Sequence, residues 1–349
     1  MIDSTIISRI LSVHFDQHHG TAYWLDKEQQ LGIDVQKTIR STSDFHLLGP
    51  MDVEQLRTRP LTDFIPRSFH DRLPEMLLSE TGGTTGPPCR RVFTRQEFQA
   101  AFIRPWMNAV KKQHFPLNGM WLFVGPGGPH IISQAAREMA RATGSLEPFS
   151  VDCDVRWFRG QDRESLGFRL YLEHVLEQAM NIISSQHIDV LFTTPILLTA
   201  LAKKMTKQQR LQIAGIHTGG MAQKAELSER LHELFAAAVI LPGYGNSLFG
   251  VAFEQAPPGQ SEESVFCVDD PALWLQLVPI TDTKDINLAT VLPEKQTGRV
   301  VVHRLDPSFL LINMIERDSG HYPAGSNRRK LQNIGPVEHK VVSKGGSVY

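Results

Sequence analysis

From about residue 119 to residue 250, the chain alternates short apolar runs with segments of helical periodicity. Residues 120–124 are apolar and end in a Gly/Pro turn, and residues 131–140 then carry a continuous apolar stripe at helical spacing. Apolar runs recur at about 187–195, 211–220 and 237–245, with helical segments between them. This order predicts an α/β fold, in which mostly parallel strands are buried on both faces and flanked by helices.

The predicted strands end in loops that are rich in glycine, proline, threonine or serine. These loops read "VGPGGPH", "FTTP", "HTGG" and "PGYGNS". Ligands of parallel sheets bind at the carboxyl ends of the strands, where such loops meet. We therefore expect a ligand site at this edge of the sheet.

A fifth loop, "SETGGTTGPPCRR", runs from Ser79 to Arg91. Its glycines and prolines exclude a helix interior or a central strand. Backbone N–H groups and hydroxyls of such a loop can surround an anion, and phosphate is the anion usually held in this way. The alternative interpretation is a surface turn without a ligand.

The two ends of the chain have different patterns. Isoleucines and leucines at helical spacing in the first residues predict an amphipathic helix, and we expect His14 and His18 at its solvated end. After about residue 265 the runs "VFCVDDPALWLQLV", "GRVVVHRL" and "FLLINMIER" indicate strands separated by turns. We predict a helical segment packed on the core over 1–60, an α/β core over 61–265 and a β-rich subdomain over 266–349.

Charge and cysteine content narrow the classes of function. The net charge is −1, so no basic field indicates a nucleic-acid partner. The three cysteines are too few and too scattered for a disulfide framework or a cysteine-based zinc site, which favours a cytoplasmic protein. No stretch of the sequence is long and apolar enough to predict a membrane span, and we predict no metal-ligand cluster.

The order of these loops resembles the adenylate-forming superfamily, and in particular acyl-CoA synthetases of the phenylacetate–CoA ligase type. The resemblance covers about Leu61 to the C-terminus and rests on the motifs Thr81–Cys89, Thr194-Pro195, Gly219-Gly220-Met221, Tyr244–Ser247, Gly298-Arg299 and Arg317–His321. It implies the family's N-terminal core, with mostly parallel sheets flanked by helices and a β-rich C-terminal section.

The resemblance also implies an activity. A small carboxylic acid is activated by ATP as an acyl-adenylate, and the acyl group then passes to a thiol of CoA or an acyl carrier protein. The residues that it implies for nucleotide binding are Thr81, Gly82, Gly83, Thr84, Thr85, Gly86, Gly219, Gly220, Met221, Tyr244, Gly245, Asn246, Ser247 and Asp318.

Particular roles follow for some of these positions. Tyr244 would stack on adenine and Asp318 would bind the ribose hydroxyls, although Tyr244 also fits a core aromatic and Asp318 a turn. His130 would orient the substrate carboxylate, or it is only a polar residue at a helix start. Arg90, with Arg91, would supply charge near the phosphates, or both are solvated surface residues.

Several positions depart from the family pattern. Cys89 stands where the family has a lysine, and Leu248 stands where it has the glutamate associated with Mg²⁺. His321 replaces the usual ribose-binding aspartate, which is why Asp318 is the candidate. The chain ends about where the family's hinge leads into its lid, so we expect no lid domain and a protein partner that covers the site.

Acyl-protein synthetases of bacterial bioluminescence are similar in length to this chain and also end before the lid. Because Cys267 is the last cysteine here, self-acylation at the tail is not favoured.

Two other interpretations remain open at this stage. The chain could be a non-catalytic member of the fold that binds a nucleotide or acyl group within a complex. It could also be an unrelated α/β enzyme that uses "GPGGPH" for another phosphate ligand, with Asp152 and Asp154 only partly matching a Rossmann pattern.

Overall fold

A computed structural model of the protein describes residues 4–83, 86–128, 130–220, 225–255, 264–281, 286–326 and 328–337. Within these ranges the α-helices are α1 Ser4–His14, α2 Ala22–Leu31, α3 Val35–Thr38, α4 Val53–Thr58, α5 Arg95–Phe98, α6 Arg104–Gln113, α7 Ile131–Ala142, α8 Val155–Arg159, α9 Leu166–Ser185, α10 Pro195–Lys204, α11 Lys207–Gln212 and α12 Ala225–Leu234. The strands are β1 Leu77–Glu80, β2 Arg90–Phe93, β3 Trp121–Gly125, β4 Phe149–Asp152, β5 Val190–Thr193, β6 Gly215–Thr218, β7 Val239–Asn246, β8 Gly250–Glu254, β9 Val265–Cys267, β10 Leu273–Val278, β11 Gly298–Leu305, β12 Leu310–His321 and β13 Lys330–Pro336. Short helical turns of other pitch occupy Thr42–Leu48, Leu61–Phe64, Arg67–Glu75 and Gln99–Ile103.

A large mixed sheet organises the described part of the chain. Its 11 strands run in the order β10-β11-β12-β13-β9-β8-β7-β6-β5-β3-β4. Strands β4, β3, β5, β6 and β7 are parallel, whereas every pairing from β7 through β8 to β10 is antiparallel. The predicted α/β alternation and the β-rich end of the chain are therefore confirmed. The two parts share one sheet, and the boundaries at residues 60 and 265 stay a prediction.

The glycine-rich loop joins two strands of a separate hairpin. Strand β1 pairs antiparallel with β2 in a register that sets Glu80 opposite Arg90. Thr81 closes the base of the loop, because its backbone N–H donates to the carbonyl of Cys89 at 3.0 Å and its hydroxyl accepts from the Cys89 N–H at 2.9 Å. The sequence analysis had not predicted this hairpin.

The N-terminal helices pack on the antiparallel end of the sheet. Helix α1 buries Ile7, Ile10 and Leu11, as its periodicity predicts. The interpretation of His14 as part of a solvated helix end is wrong. Its imidazole is fully buried, lies 2.6 Å from the Thr21 hydroxyl and 2.9 Å from the Asp306 carbonyl oxygen, and burial lowers its pKa to about 4.

A buried ionic network joins the hairpin to the sheet. Arg91 donates to the Asp306 carboxylate at 2.7 Å and to the Leu248 carbonyl at 2.6 Å. Arg304 donates to Asp306 at 2.6 Å and to Asp270 at 2.8 Å, and all four charged side chains are at most 3% exposed. Arg91 is therefore a structural ion-pair residue, not the solvated or phosphate-facing arginine that the sequence analysis allowed.

Over the part of the chain that the structure describes, no helix combines the length and the apolar character needed to span a membrane.

Candidate active site

The four loops at the carboxyl ends of the parallel strands meet around one cavity, as the sequence predicts. The cavity has a volume of about 270 Å³. Its lining includes Pro126 after β3, Thr194 after β5, Gly219 after β6 and Asn246 at the end of β7. The glycine-rich loop reaches the same cavity through Thr81, Gly82 and Gly83. The strand-end loops and the phosphate-type loop therefore form a single site.

Hydrogen bonds hold the glycine-rich loop against the β7–β8 turn. The Ser79 hydroxyl donates to the carbonyl of Ser247 at 2.6 Å. Gly83 has φ 62°, a left-handed conformation that glycine adopts without steric cost. Thr84, Thr85 and Met221, also expected at the nucleotide, lie outside the described residues.

The end of β7 presents backbone rather than large side chains to the cavity. Gly243 and Gly245 line it, and a Cβ on Gly245 would fall 2.0 Å from the carbonyl oxygen of Gly250. The Tyr244 ring packs near the rings of Phe249 and Phe266. Unlike its glycine neighbours, Tyr244 is not among the residues that line the cavity, and its stacking on adenine stays a prediction.

Two further expected site residues also lie outside the cavity lining. Arg90 donates to the Glu80 carboxylate at 3.0 Å on the hairpin. Asp318 lies next to the buried hydroxyl of Tyr244, and its pKa is raised because the carboxyl group is desolvated. Neither residue is among those that line the cavity, and the roles expected for them stay predictions.

Glu316 is a cavity carboxylate that the sequence analysis did not identify. It lies two residues before Asp318 on β12, so its side chain shares a face with that residue. The Asn246 side-chain amide donates to it at 3.1 Å. Burial, and then repulsion by Asp318, raise the pKa of Glu316 to about 7. The positive charges of Arg317 and Arg299 act in the opposite direction but only partly offset this rise.

This raised pKa predicts a pH-dependent stability. Glu316 is protonated in the folded protein up to about pH 7, whereas the unfolded chain loses the proton near the usual value of 4.5. The folded state then binds more protons, so the free energy of unfolding should fall by about 1.4 kcal/mol per pH unit as the pH rises through this window. Glu316→Gln should abolish that fall and be more stable than the parent at pH 8, by roughly 2–3 kcal/mol.

Urea unfolding of the parent and of Glu316→Gln at half-unit steps from pH 5 to pH 8 checks this expectation. Parallel stability curves for the two proteins across that range would contradict it.

His130 lies where the sequence analysis placed it. It is the residue before α7, its side chain is 5% exposed, and it lines the cavity. Burial lowers its pKa, although the negative charge of the nearby Glu80 carboxylate acts to raise it, so the imidazole is neutral. A neutral imidazole can donate a hydrogen bond to a bound carboxylate without adding a charge.

Much of the cavity lining is apolar. Phe102, Phe123, Ile132, Met139 and Phe192 contribute to it. His217 on β6 adds a polar group there and was missed from the sequence, because it lies inside an apolar strand. Its Nδ1 is 2.8 Å from the Leu241 carbonyl oxygen, and burial lowers its pKa to about 4, so it too is neutral.

A cationic side chain from the N-terminal helices also reaches the site. Arg57 on α4 lines the cavity although it is distant in sequence from the loops that form it. Val53, four residues earlier on the same helix face, lines the cavity as well. The i, i+4 spacing of Val53 and Arg57 places both residues on one face of α4. This spacing could have predicted that Arg57 reaches the cavity only if α4 was known to pack against the loops.

Among the side chains that the structure describes, no group of three or more His, Cys, Asp or Glu residues is arranged to hold a metal ion.

Comparisons with known proteins agree with this architecture. Neither a family model nor a curated protein matches the sequence. Among solved structures, an open conformation of 2-hydroxyisobutyryl-CoA ligase in complex with 2-HIB-AMP and CoA superposes with a TM-score of 0.66 at 13% identity, over 94% of this chain and 71% of that one. This protein has the adenylate-forming fold.

Two further structures of the same ligase give similar results. The complex in the thioesterification state has a TM-score of 0.67 at 14% identity, over 95% of this chain and 66% of that one. The postadenylation state with 2-HIB-AMP has a TM-score of 0.66 at 12% identity, over 94% of this chain and 65% of that one. The chain thus spans about two thirds of the length of these ligases.

Proposed function

We propose that the protein activates a small carboxylic acid with ATP and transfers the acyl group to a thiol. One observation carries this proposal: a glycine-rich hairpin loop and four strand-end loops of an adenylate-forming fold surround one cavity whose lining has a polar part and an apolar part. An ATP-dependent acyl transfer needs both parts, because a triphosphate and an acyl group must meet at one point.

The chemistry proceeds in two displacements. A carboxylate oxygen of the acid forms a bond to the α-phosphorus of ATP, and the bond from that phosphorus to the pyrophosphate oxygen breaks. The thiol then loses its proton and its sulfur bonds to the acyl carbon, so that AMP leaves. The first step brings two anions together, so its rate depends on positioning and charge neutralisation.

The polar part of the cavity is assigned to the nucleotide. Backbone N–H groups of Gly82 and Gly83 would bind the β- and γ-phosphates, as glycine-rich loops do for anions. Gly219 and Gly220 would lie against the edge of the adenine, because no side chain keeps the ring away. Asn246 and Ser247 line the cavity beside them.

The apolar part is assigned to the acid. Its phenylalanines and aliphatic side chains favour an apolar acyl group. His130 would donate to the substrate carboxylate and fix its direction of attack. CoA and a carrier-protein thiol are both acceptors of this class, and the protein partner expected from the sequence stays a prediction.

Glu316 fits the Mg²⁺ that accompanies ATP, since it is a buried carboxylate in the cavity lining and Leu248 offers no ligand. Mg²⁺ commonly takes one or two carboxylates and completes its shell with phosphate oxygens and water. When bound, the metal would neutralise phosphate charge. Glu316 would release its proton on binding the cation, and Asn246 would keep its carboxylate oriented.

Calorimetry with ATP, AMP and a sulfamoyl-linked acyl-adenosine, each with Mg²⁺, tests the proposal. We expect all three to bind and the acyl-adenosine to bind more tightly than AMP, because it occupies both parts of the cavity. Pyrophosphate release over a panel of short aliphatic and aromatic acids then identifies the substrate. No binding at millimolar ligand would refute the proposal, and binding without pyrophosphate release for any acid would indicate a non-catalytic nucleotide-binding subunit.

A further inference from the structure

The phosphate-type loop lacks a lysine at Cys89, yet a cation lies beside that position. The guanidinium of Arg57 is close enough to Gly86 that a Cβ built there would fall 2.9 Å from Nη1 and 3.0 Å from Cζ. The Cys89 thiol is also next to the guanidinium, which acts to lower the thiol's pKa although burial raises it overall. Arg57 thus lies against Gly86 and Cys89, the residues on either side of the two prolines of the loop.

Helix α4 holds Arg57 in this place. The Asp52 carboxylate caps the helix by accepting from the Gln55 N–H at 3.0 Å, and Leu56 is buried in the core. Glu54 accepts from Nη1 of Arg57 at 2.6 Å and orients the guanidinium. The Glu54 side chain is 70% exposed and that of Arg57 only 13%, so the cation is held in the cavity wall while its partner carboxylate faces solvent.

We propose that Arg57 is the cation that binds the β- and γ-phosphates of ATP, in place of a lysine in the loop. This inference rests on the proposed function. A guanidinium offers several N–H donors in a planar fork, which suits phosphate oxygens, and it keeps its charge when partly buried. The charge comes from a helix that precedes the loop in sequence, not from the loop.

The other arginines near the loop fit this role less well. Arg91 is fully buried in its ion pairs with Asp306. Arg90 pairs with Glu80 and does not line the cavity. Arg317 lines the cavity, but it lies on β12 beside Glu316 and Asp318, whereas Arg57 touches the loop.

The test compares ATP and AMP affinities in the presence of Mg²⁺ by calorimetry. Arg57→Met should weaken ATP about 10- to 100-fold and AMP less than about threefold, because AMP has no β- or γ-phosphate. The matched control is Arg59→Met on the same helix end, whose guanidinium pairs with Asp26 and Asp63 outside the cavity. It should leave the ratio of the two affinities unchanged even if it lowers the melting temperature.

Two further variants test the location of the charge. Gly86→Ala places a methyl group against the guanidinium, so it should lower ATP affinity relative to AMP and add little to Arg57→Met in the double variant. Arg57→Met combined with Cys89→Lys returns a cation to the same contact and should regain at least tenfold in ATP affinity over Arg57→Met alone.

The outcomes separate this inference from the proposed function. If the parent binds both nucleotides and Arg57→Met leaves their affinity ratio unchanged, Arg57 is not the phosphate cation although the function stands. The same conclusion follows if Arg90→Met, and not Arg57→Met, weakens ATP binding relative to AMP binding. It also follows if adding Cys89→Lys to Arg57→Met recovers no ATP affinity. If the parent binds neither nucleotide, the proposed function and the inference both fail.

Discussion

Asp306→Ala is expected to lower the free energy of unfolding by about 3–5 kcal/mol. Asp306 accepts from both Arg91 and Arg304, and each of these guanidinium groups is fully buried. Without the carboxylate, two buried cations would lie close together, and Arg91 would lose its ion pair while Arg304 kept only the one with Asp270. Chemical denaturation followed by fluorescence and circular dichroism measures the loss.

A surface ion pair provides the comparison. Lys37 pairs with Asp34, and its side chain is 81% exposed. Lys37→Ala should change the free energy of unfolding by less than about 1 kcal/mol, because solvent screens such pairs. If Asp306→Ala costs no more than Lys37→Ala, the buried network does not hold the hairpin to the sheet.

Gly83→Val is expected to abolish binding of ATP, whereas AMP and the acyl-adenosine, which have no β- or γ-phosphate, should still bind and the fold should stay intact. The residue has φ 62°, and a β-branched side chain is strongly disfavoured there. Valine would force the loop into another conformation and turn its backbone N–H groups away from the cavity. Calorimetry measures the loss of binding, and thermal unfolding reports the state of the fold.

Gly325→Val is a matched control for this variant. Gly325 has φ 67°, so valine brings a similar backbone strain, but the residue lies in an exposed turn outside the cavity lining. It should lower stability modestly and leave nucleotide affinity as in the parent. If Gly83→Val retains ATP binding, the loop does not surround the β- and γ-phosphates, and the interpretation as a surface turn stands.

The secondary structure of the parallel sheet could be predicted because its signals are local. The apolar runs that became β3, β5, β6 and β7 are bounded by helical segments with a clear period. Since parallel strands end at the same edge, the order of elements was enough to predict that their loops meet. The hairpin of β1 and β2 was missed, because each strand has only four residues and the long loop between them hides the pairing.

The sequence motifs predicted well which glycines bring their backbone to the cavity, and less well which side chains line it. Glycines at 82, 83, 219 and 245 line the cavity as the motifs imply. Tyr244 does not, because its ring packs near those of Phe249 and Phe266. Whether a residue of a strand faces the cavity or the core depends on how the sheet is covered, which the motif does not contain.

The sequence by itself determined the α/β alternation, the edge at which a ligand binds and the glycine-rich loops that line the site. These depend on periodicity and backbone conformation, which neighbouring residues control. Tertiary structure alone decided where the charges lie. Arg90 and Arg91 are adjacent in sequence, yet Arg90 is half exposed and pairs with Glu80, whereas Arg91 is buried against Asp306, 215 residues away. Arg57 and Glu316 likewise reach the cavity only because helix α4 and strand β12 pack beside the loop, and electrostatic interactions depend on distance in space rather than on distance along the chain.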